Sequence, residues 1–266
     1  MKFYFSLNIL LFFFATEVQA QILRVDKNHL NSDSSGYFTT NFNLNFSLDS
    51  RSVAPSEQLV FVRLTSRTDL LYVSKNTAYI FACSIDYFKS GDTRPFSTGY
   101  GHVRINFFRK HIVSLETYGQ TQYDEVRRLR LRNLAGIGAR ITPIDKAKVD
   151  IHLGSGVMYE MEKWREVEDD PTSDFKKNIP KVSSYIGIDF VLSNSSELTL
   201  WGLHQIGFDN QDDIFRSRYA GEATLNLHIT KRITWTNRFS YYYDAQPVIP
   251  INHAYFQLTN GLLIKF

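Results

Sequence analysis

The chain has 266 residues, with 30 Lys and Arg against 27 Asp and Glu and a formal net charge of +3. That near balance argues against a polyanion-binding protein, 43% hydrophobic residues argue against disorder, and a single cysteine excludes an internal disulfide framework and a cysteine-based zinc site. The chain is polar on average yet carries 21 Phe and 15 Tyr, a combination that suits strands with one apolar and one polar face.

Met1 and Lys2 are followed by an apolar run from Phe3 to Ala15, broken only by Ser6 and Asn8, and then by Val18-Gln19-Ala20. This pattern predicts a signal peptide over residues 1–20, cleaved between Ala20 and Gln21. The run is shorter than the roughly 20 apolar residues that a spanning helix needs. Residues 21–35 are expected to form a short periplasmic segment.

From residue 36 the chain alternates with period two. Phe38, Thr40, Phe42, Leu44, Phe46 and Leu48 share one parity, and Thr39, Asn41, Asn43, Asn45 and Ser47 the other. Successive side chains of a strand point to opposite faces, so one face is apolar and the other polar. The pattern recurs over 36–49, 57–74, 76–89, 98–109, 111–123, 127–142, 147–163, 181–193, 197–208, 213–229, 232–245 and 253–266. It changes phase within 57–74 and 197–208. Connections after even-numbered segments read as short turns, and those after odd-numbered ones as longer polar loops. The longest is expected over residues 164–180, with Glu166, Glu168, Asp169 and Asp170.

An even count of alternating strands with unequal loops predicts an all-β fold, a transmembrane antiparallel β-barrel of about twelve strands with up-and-down topology over residues 36–266. In lipid every backbone donor and acceptor must be paired within the protein, and a closed sheet does this without a free edge. Tyr37, Phe38, Tyr87, Phe88, Tyr159, Trp164, Phe215 and Tyr255 fall near segment ends, where an aromatic girdle belongs. The competing arrangement is a soluble exported sandwich or barrel with its apolar face inward, since periodicity alone does not separate inside-out from outside-in.

If the apolar parity faces lipid, the other parity lines a lumen. Turn centres near Lys110, Asp145 and Thr230 set Arg104 against Glu116, Arg140 against Asp150, Arg130 against Glu160, Arg128 against Glu162, and Glu222 against Arg238 or one diagonal step away. Arg132, His152, Asp189, Arg216, Arg218 and His228 share that face. Such pairs satisfy a crowded polar interior, or form a constriction that selects solutes by charge. A barrel-embedded hydrolase acting on lipid or envelope substrates is the alternative. It is poorly marked: His152 and Ser155 have opposite parity, His204 and Ser217 show no clear partner, and Ser173 and Lys176 match Ser-x-x-Lys only within the predicted loop. Seven scattered histidines show no metal-ligand spacing, so no metal or cofactor is expected.

Three stretches bear a family likeness. Residues 127–142 are an arginine-rich strand ending in Gly136-Ile137-Gly138, residues 153–162 carry Tyr159-Glu160 near their end, and the tail runs Asn260-Gly261-Leu262 to Phe266. Together they resemble the YdiY-like outer-membrane proteins, domain of unknown function 481, with Ile137 where Ala is more usual. The resemblance implies an outer-membrane barrel of a Gram-negative bacterium, sometimes labelled salt-induced, with no established activity. Phe266 looks like the terminal signal read by barrel-assembly machinery. The expected partners are that machinery, outer-membrane lipids and small solutes or ions, with no nucleic acid, and the barrel is expected to be a monomer.

Overall fold

The computed structural model describes residues 36–54, 57–91, 95–166 and 173–264. The predicted signal peptide, the segment 21–35 and Phe266 lie outside the described residues. Twelve strands follow one another: β1 (Tyr37–Ala54), β2 (Glu57–Val73), β3 (Thr77–Ser90), β4 (Phe96–Phe107), β5 (Val113–Asp124), β6 (Leu129–Lys146), β7 (Val149–Arg165), β8 (Asp174–Ser193), β9 (Ser196–Asp209), β10 (Ile214–His228), β11 (Ile233–Asp244) and β12 (Ala254–Ile264). Each pairs with its chain neighbour, antiparallel throughout, in the sheet order β1 to β12. Among the described residues no pairing joins β1 to β12.

The sheet nevertheless curls strongly. Adjacent strands lie about 4.8 Å apart, so a flat sheet would hold β5 and β12 roughly 34 Å from each other. Yet the Arg127 guanidinium, at the β5–β6 turn, sits 5.1 Å from the Tyr255 ring of β12 and 5.3 Å from the Tyr242 ring of β11. Tyr185 of β8 donates to Glu116 of β5 at 2.7 Å, across two intervening strands.

Curling puts the polar face inside. Among the described residues the buried side chains include Glu160, Asp150, Lys181, Arg216 and Arg218, whereas Phe42, Phe46, Ile137, Phe215 and Phe256 are each more than 60% exposed. This is the reverse of a soluble protein, whose large apolar side chains are inside.

Tight curvature needs small residues on the concave face. The Cα atoms of Gly138 and Gly156 are paired across β6 and β7. A Cβ on Gly156 would fall 2.2 Å from the Ile137 carbonyl oxygen, so only glycine allows this approach. The Tyr118 ring lies where a Cβ of Gly136 would sit, and the Tyr185 ring does the same at Gly154.

Both ends of the concave face are apolar. At the β2–β3 turn, Leu71, Val73, Ala78 and Ile80 cluster with Tyr37 packed on them. At the opposite end Leu129, Trp164 and Ile249 are at most 3% exposed and are flanked by Phe175, Val248 and Ile251. Val248, Ile249 and Ile251 belong to the β11–β12 connection, which therefore folds over that mouth.

Several expectations are corrected. Residues 174–180 are strand, not loop: Phe175, Lys177 and Ile179 alternate, and β8 pairs with β7 back to Asp174. Pro180 is tolerated there because the β8–β9 ladder runs only from Lys181↔Gly207, so no β9 partner needs its missing N–H. The long connections are 166–173 and 245–253, and the remaining loops differ less in length than expected. Tyr37, Trp164 and Tyr255 do not join an outer girdle, and Tyr37 packs on the buried cluster at the β2–β3 turn. Trp164 is 2% exposed in the apolar lid, and Tyr255 lines an interior cavity.

Gly156→Ala is expected to destabilise the folded protein by about 1–3 kcal/mol, the usual range for overpacking. Gly261→Ala, where a Cβ meets nothing within 4 Å, should stay within about 0.5 kcal/mol of wild type. Urea unfolding in detergent, followed by tryptophan fluorescence, measures both.

Candidate functional site

The concave face concentrates its charge at the level of β7. Glu160 is 1% exposed and meets three cations. Arg132 Nε of β6 donates to Glu160 Oε2 at 2.7 Å, Lys181 Nζ of β8 to Oε1 at 2.5 Å, and Arg218 Nη1 of β10 to Oε1 at 3.0 Å. Glu162, two residues along the same face, lies 2.8 Å from Arg218 Nη1 and 3.4 Å from Arg132 Nε. Arg218 Nε then reaches Asp244 of β11 at 2.9 Å. Five strands are thus tied by one network of three carboxylates and three cations. Trp164 Nε1 donates to Glu162 Oε2 at 2.9 Å, which fastens the apolar lid to it.

A second cluster lies at the same mouth. Asp209 accepts from Arg216 Nε at 2.7 Å and lies 3.2 Å from Lys177 Nζ. Lys177 Nζ also donates to Asp212 at 2.6 Å, and Arg216 Nη2 bonds Asp212 too. Arg216 Nη1 donates to the Gln246 carbonyl at 2.6 Å, so this cluster holds the β11–β12 connection in place. Further along the interior, Glu116 accepts from Asn106 at 3.3 Å and from Tyr185 at 2.7 Å. The Arg104 guanidinium sits between the Tyr118 and Tyr185 rings, at 5.8 and 5.6 Å. A cavity of about 120 Å³ lies here, lined among others by His102, Arg104, Gln205 and Tyr242.

The residues named from the sequence divide clearly. Arg104 Nη1 lies 4.0 Å from Glu116 Oε1, although their Cα partners are Tyr118 and Asn106, so the contact is diagonal. Arg238 Nε lies 3.5 Å from Glu222 Oε1, again diagonally, with Thr224 opposite Arg238. The three pairs set by a turn at Asp145 are not formed. Strand β6 continues through Asp145 to Lys146, and the turn sits at residues 147 and 148. That turn and a one-residue shift between Ile141 and Ile144 slide the register, with Arg140 opposite Gly154, Leu134 opposite Glu160 and Arg132 opposite Glu162.

A bulge between Leu129 and Leu131 then turns Leu129 inward and Arg130 outward, where it lies 3.5 Å from Glu125. Arg128 stands in the β5–β6 turn at φ 60°, donating to the Glu166 carbonyl. His228 bonds Thr234 at 2.9 Å near the β10–β11 turn. Asp189 accepts from Thr199 at 2.5 Å.

Lys181, Lys177, Asp209 and Asp244 were missed. Lys177 falls in the expected loop, and the partners of the other three, Glu160 for Lys181, Arg216 for Asp209 and Arg218 for Asp244, are fixed by the register of neighbouring strands. Asp150, His152 and Asp189 bring one possible ligand atom each within 4.8 Å of one another, a metal-ligating type of group among the described residues. It joins β7 to β8, so spacing along the chain could not show it. Ser217 and His204 are also together, with Oγ and Nε2 2.9 Å apart on the convex face.

Glu160→Ala leaves Arg132, Lys181 and Arg218 short of a counter-charge. It is expected to cost about 3–5 kcal/mol, as breaking buried pairs does. Arg238→Ala removes a partly exposed arginine from a longer contact of 3.5 Å, and Glu222 keeps its bonds from Thr224 and Ser240, so the cost should be smaller, about 1 kcal/mol. Denaturant midpoints of the two variants, compared with wild type at constant ionic strength, test this ranking.

A search of curated proteins returned no match. A solved structure described as the NanC porin in a rhombohedral crystal form aligns with 11% identity over 77% of this chain and 94% of its own, at a TM-score of 0.44. The family model described as protein of unknown function, DUF481, matches residues 62–266. That match extends from within β2 to the last residue and takes in every strand of the charged network, and the chain belongs to the DUF481 family.

Proposed function

We propose that the chain is an outer-membrane β-barrel whose charged interior is a narrow solute path, constricted at one mouth by the Glu160 network and its apolar lid. The observation that carries this reading is the inversion of the sheet, with rings and aliphatic side chains outside and paired charges inside. Only a lipid exterior makes that inversion favourable, since burying apolar area is worth about 25 cal/mol per Å² and water would forfeit it. The strand lengths support it, since about 9–11 tilted residues cross a bilayer and every strand here is longer or equal. The missing β1–β12 ladder would close as the last pairing of the barrel.

The constriction follows from chemistry. Arg132, Glu160, Lys181 and Arg218 meet across the interior at exposures below 10%, so no wide aqueous channel passes at their level. A twelve-stranded barrel is also narrower than the 16–18-stranded porins. The path left is lined by Arg104, Gln120, Gln122, Tyr185 and Gln205, polar groups of both donor and acceptor type. They suit a small hydrophilic solute or ion.

Planar-bilayer recording of purified, detergent-folded protein tests this. Wild type is expected to give small steps. The double variant Trp164→Ala, Ile249→Ala should raise conductance several-fold, because the lid is gone. Silence of both proteins, once insertion is shown by protease protection in vesicles, would overturn the pore and leave a structural envelope barrel.

A further inference from the structure

We propose that Ser217 and His204 form a nucleophile–base pair on the convex face that cleaves an acyl ester of a membrane lipid. The inference rests on the convex face meeting lipid and is independent of conduction.

Alternation on β10 decides which way Ser217 points. Arg216 and Arg218 are 3% and 4% exposed on the concave side, while Phe215 and Tyr219 are 62% and 46% exposed on the other. Ser217 lies between them and shares the parity of the rings. On β9, Gln205 reaches Arg132 in the interior at 3.3 Å, so His204 and Ile206 face outward with Phe208. The register sets Tyr219 opposite His204 and Ile206 opposite Ser217. Oγ and Nε2 therefore meet on a diagonal, 2.9 Å apart. The Tyr219 ring stacks on the imidazole at 4.5 Å and 13°, fixing its plane. A hydroxyl and an imidazole on a face of exposed Phe and Tyr are costly placements, and these two are held in the geometry that a base needs to take a proton from a hydroxyl.

The third component is the nucleophile's own backbone. The β10–β11 ladder begins at Arg218↔Asp244, so Ser217 lies just past it. Its N–H instead donates to the side-chain oxygen of Gln246 at 3.2 Å. That amide oxygen is a neutral carbonyl acceptor on a loop side chain. It occupies the position where an ester carbonyl oxygen would be polarised, and where the oxyanion would be held after attack.

The reaction balances with water alone. Oγ bonds to the ester carbonyl carbon as its proton passes to Nε2, and the carbonyl pair moves onto oxygen beside the Ser217 N–H. Collapse breaks the bond to the alcohol oxygen, which leaves with the proton from Nε2. The acyl group stays on Oγ until water, deprotonated by Nε2, releases the fatty acid and restores the serine. Among the described residues none is bonded to Nδ1 of His204. Loss of the orienting acid in a triad lowers turnover about 10⁴-fold, so covalent labelling is the more sensitive readout.

Full-length folded protein in detergent is treated with a long-chain alkyl fluorophosphonate and mapped by peptide mass spectrometry. The expected result is one adduct, on Ser217. It should be absent in Ser217→Ala, at least tenfold slower in His204→Asn, and retained in Ser155→Ala, an outward serine outside the pair. Heat-modifiable electrophoretic mobility confirms that each variant is folded. No adduct on folded wild type, or an adduct mapped to another residue, overturns the proposal. The mapping of wild type alone decides it even if a variant does not fold. A conducting protein that stays unlabelled loses only this inference, whereas one that fails to insert into lipid loses both readings.

Discussion

A carboxylate buried among cations holds the interior together. Glu160 gains from Arg132, Lys181 and Arg218 what it loses in water, and each of those cations in turn depends on it or on Glu162 and Asp244. In a low-dielectric interior the loss of any one partner leaves a charge uncompensated. The strands that carry these groups, β6, β7, β8, β10 and β11, are not all neighbours. The network can close only if the sheet curls to a particular radius, so side-chain electrostatics and backbone curvature specify each other.

Curvature itself is carried by small local devices. The Gly138–Gly156 approach lets β6 and β7 bend where any side chain would strike backbone. The bulge at Leu129/Leu131 exchanges an arginine for a leucine at the mouth. That single change completes the apolar lid with Trp164 and Ile249, directly above the ion pairs. Trp164 belongs to both layers, its ring in the lid and its N–H on Glu162. Lid and network should therefore respond together to any change at either.

Much of the architecture was legible along the chain. Alternation located twelve strands, because the side-chain period of a strand is two and survives whatever the strand packs against. It also assigned most interior residues to their face. Register was less accessible. Moving the β6–β7 turn from Asp145 to residues 147 and 148, with a further one-residue shift between Ile141 and Ile144, preserves parity, so Arg140, Asp150 and Glu160 stay inside, yet it changes every partner. Arg132 takes the place expected for Arg130, and a bulge, invisible to a strict two-residue period, sends Arg130 outward. His204 and Ser217 lie 13 residues apart with opposite parity in number. Only the β9–β10 turn length puts them on one face.

Sequence alone determined what depends on one strand at a time: the strand count, the two faces, many of the interior charges, and the membership implied by Gly136-Ile137-Gly138 and the Asn260-Gly261-Leu262 tail. Tertiary structure decided what depends on several strands at once: which carboxylate meets which cation, the closing of one mouth by residues 245–253, and the pairing of Ser217 with His204. The reason is that a face is set by local backbone geometry, repeated every two residues. A partner is set by turn length, bulges and curvature, and each of these accumulates across the sheet.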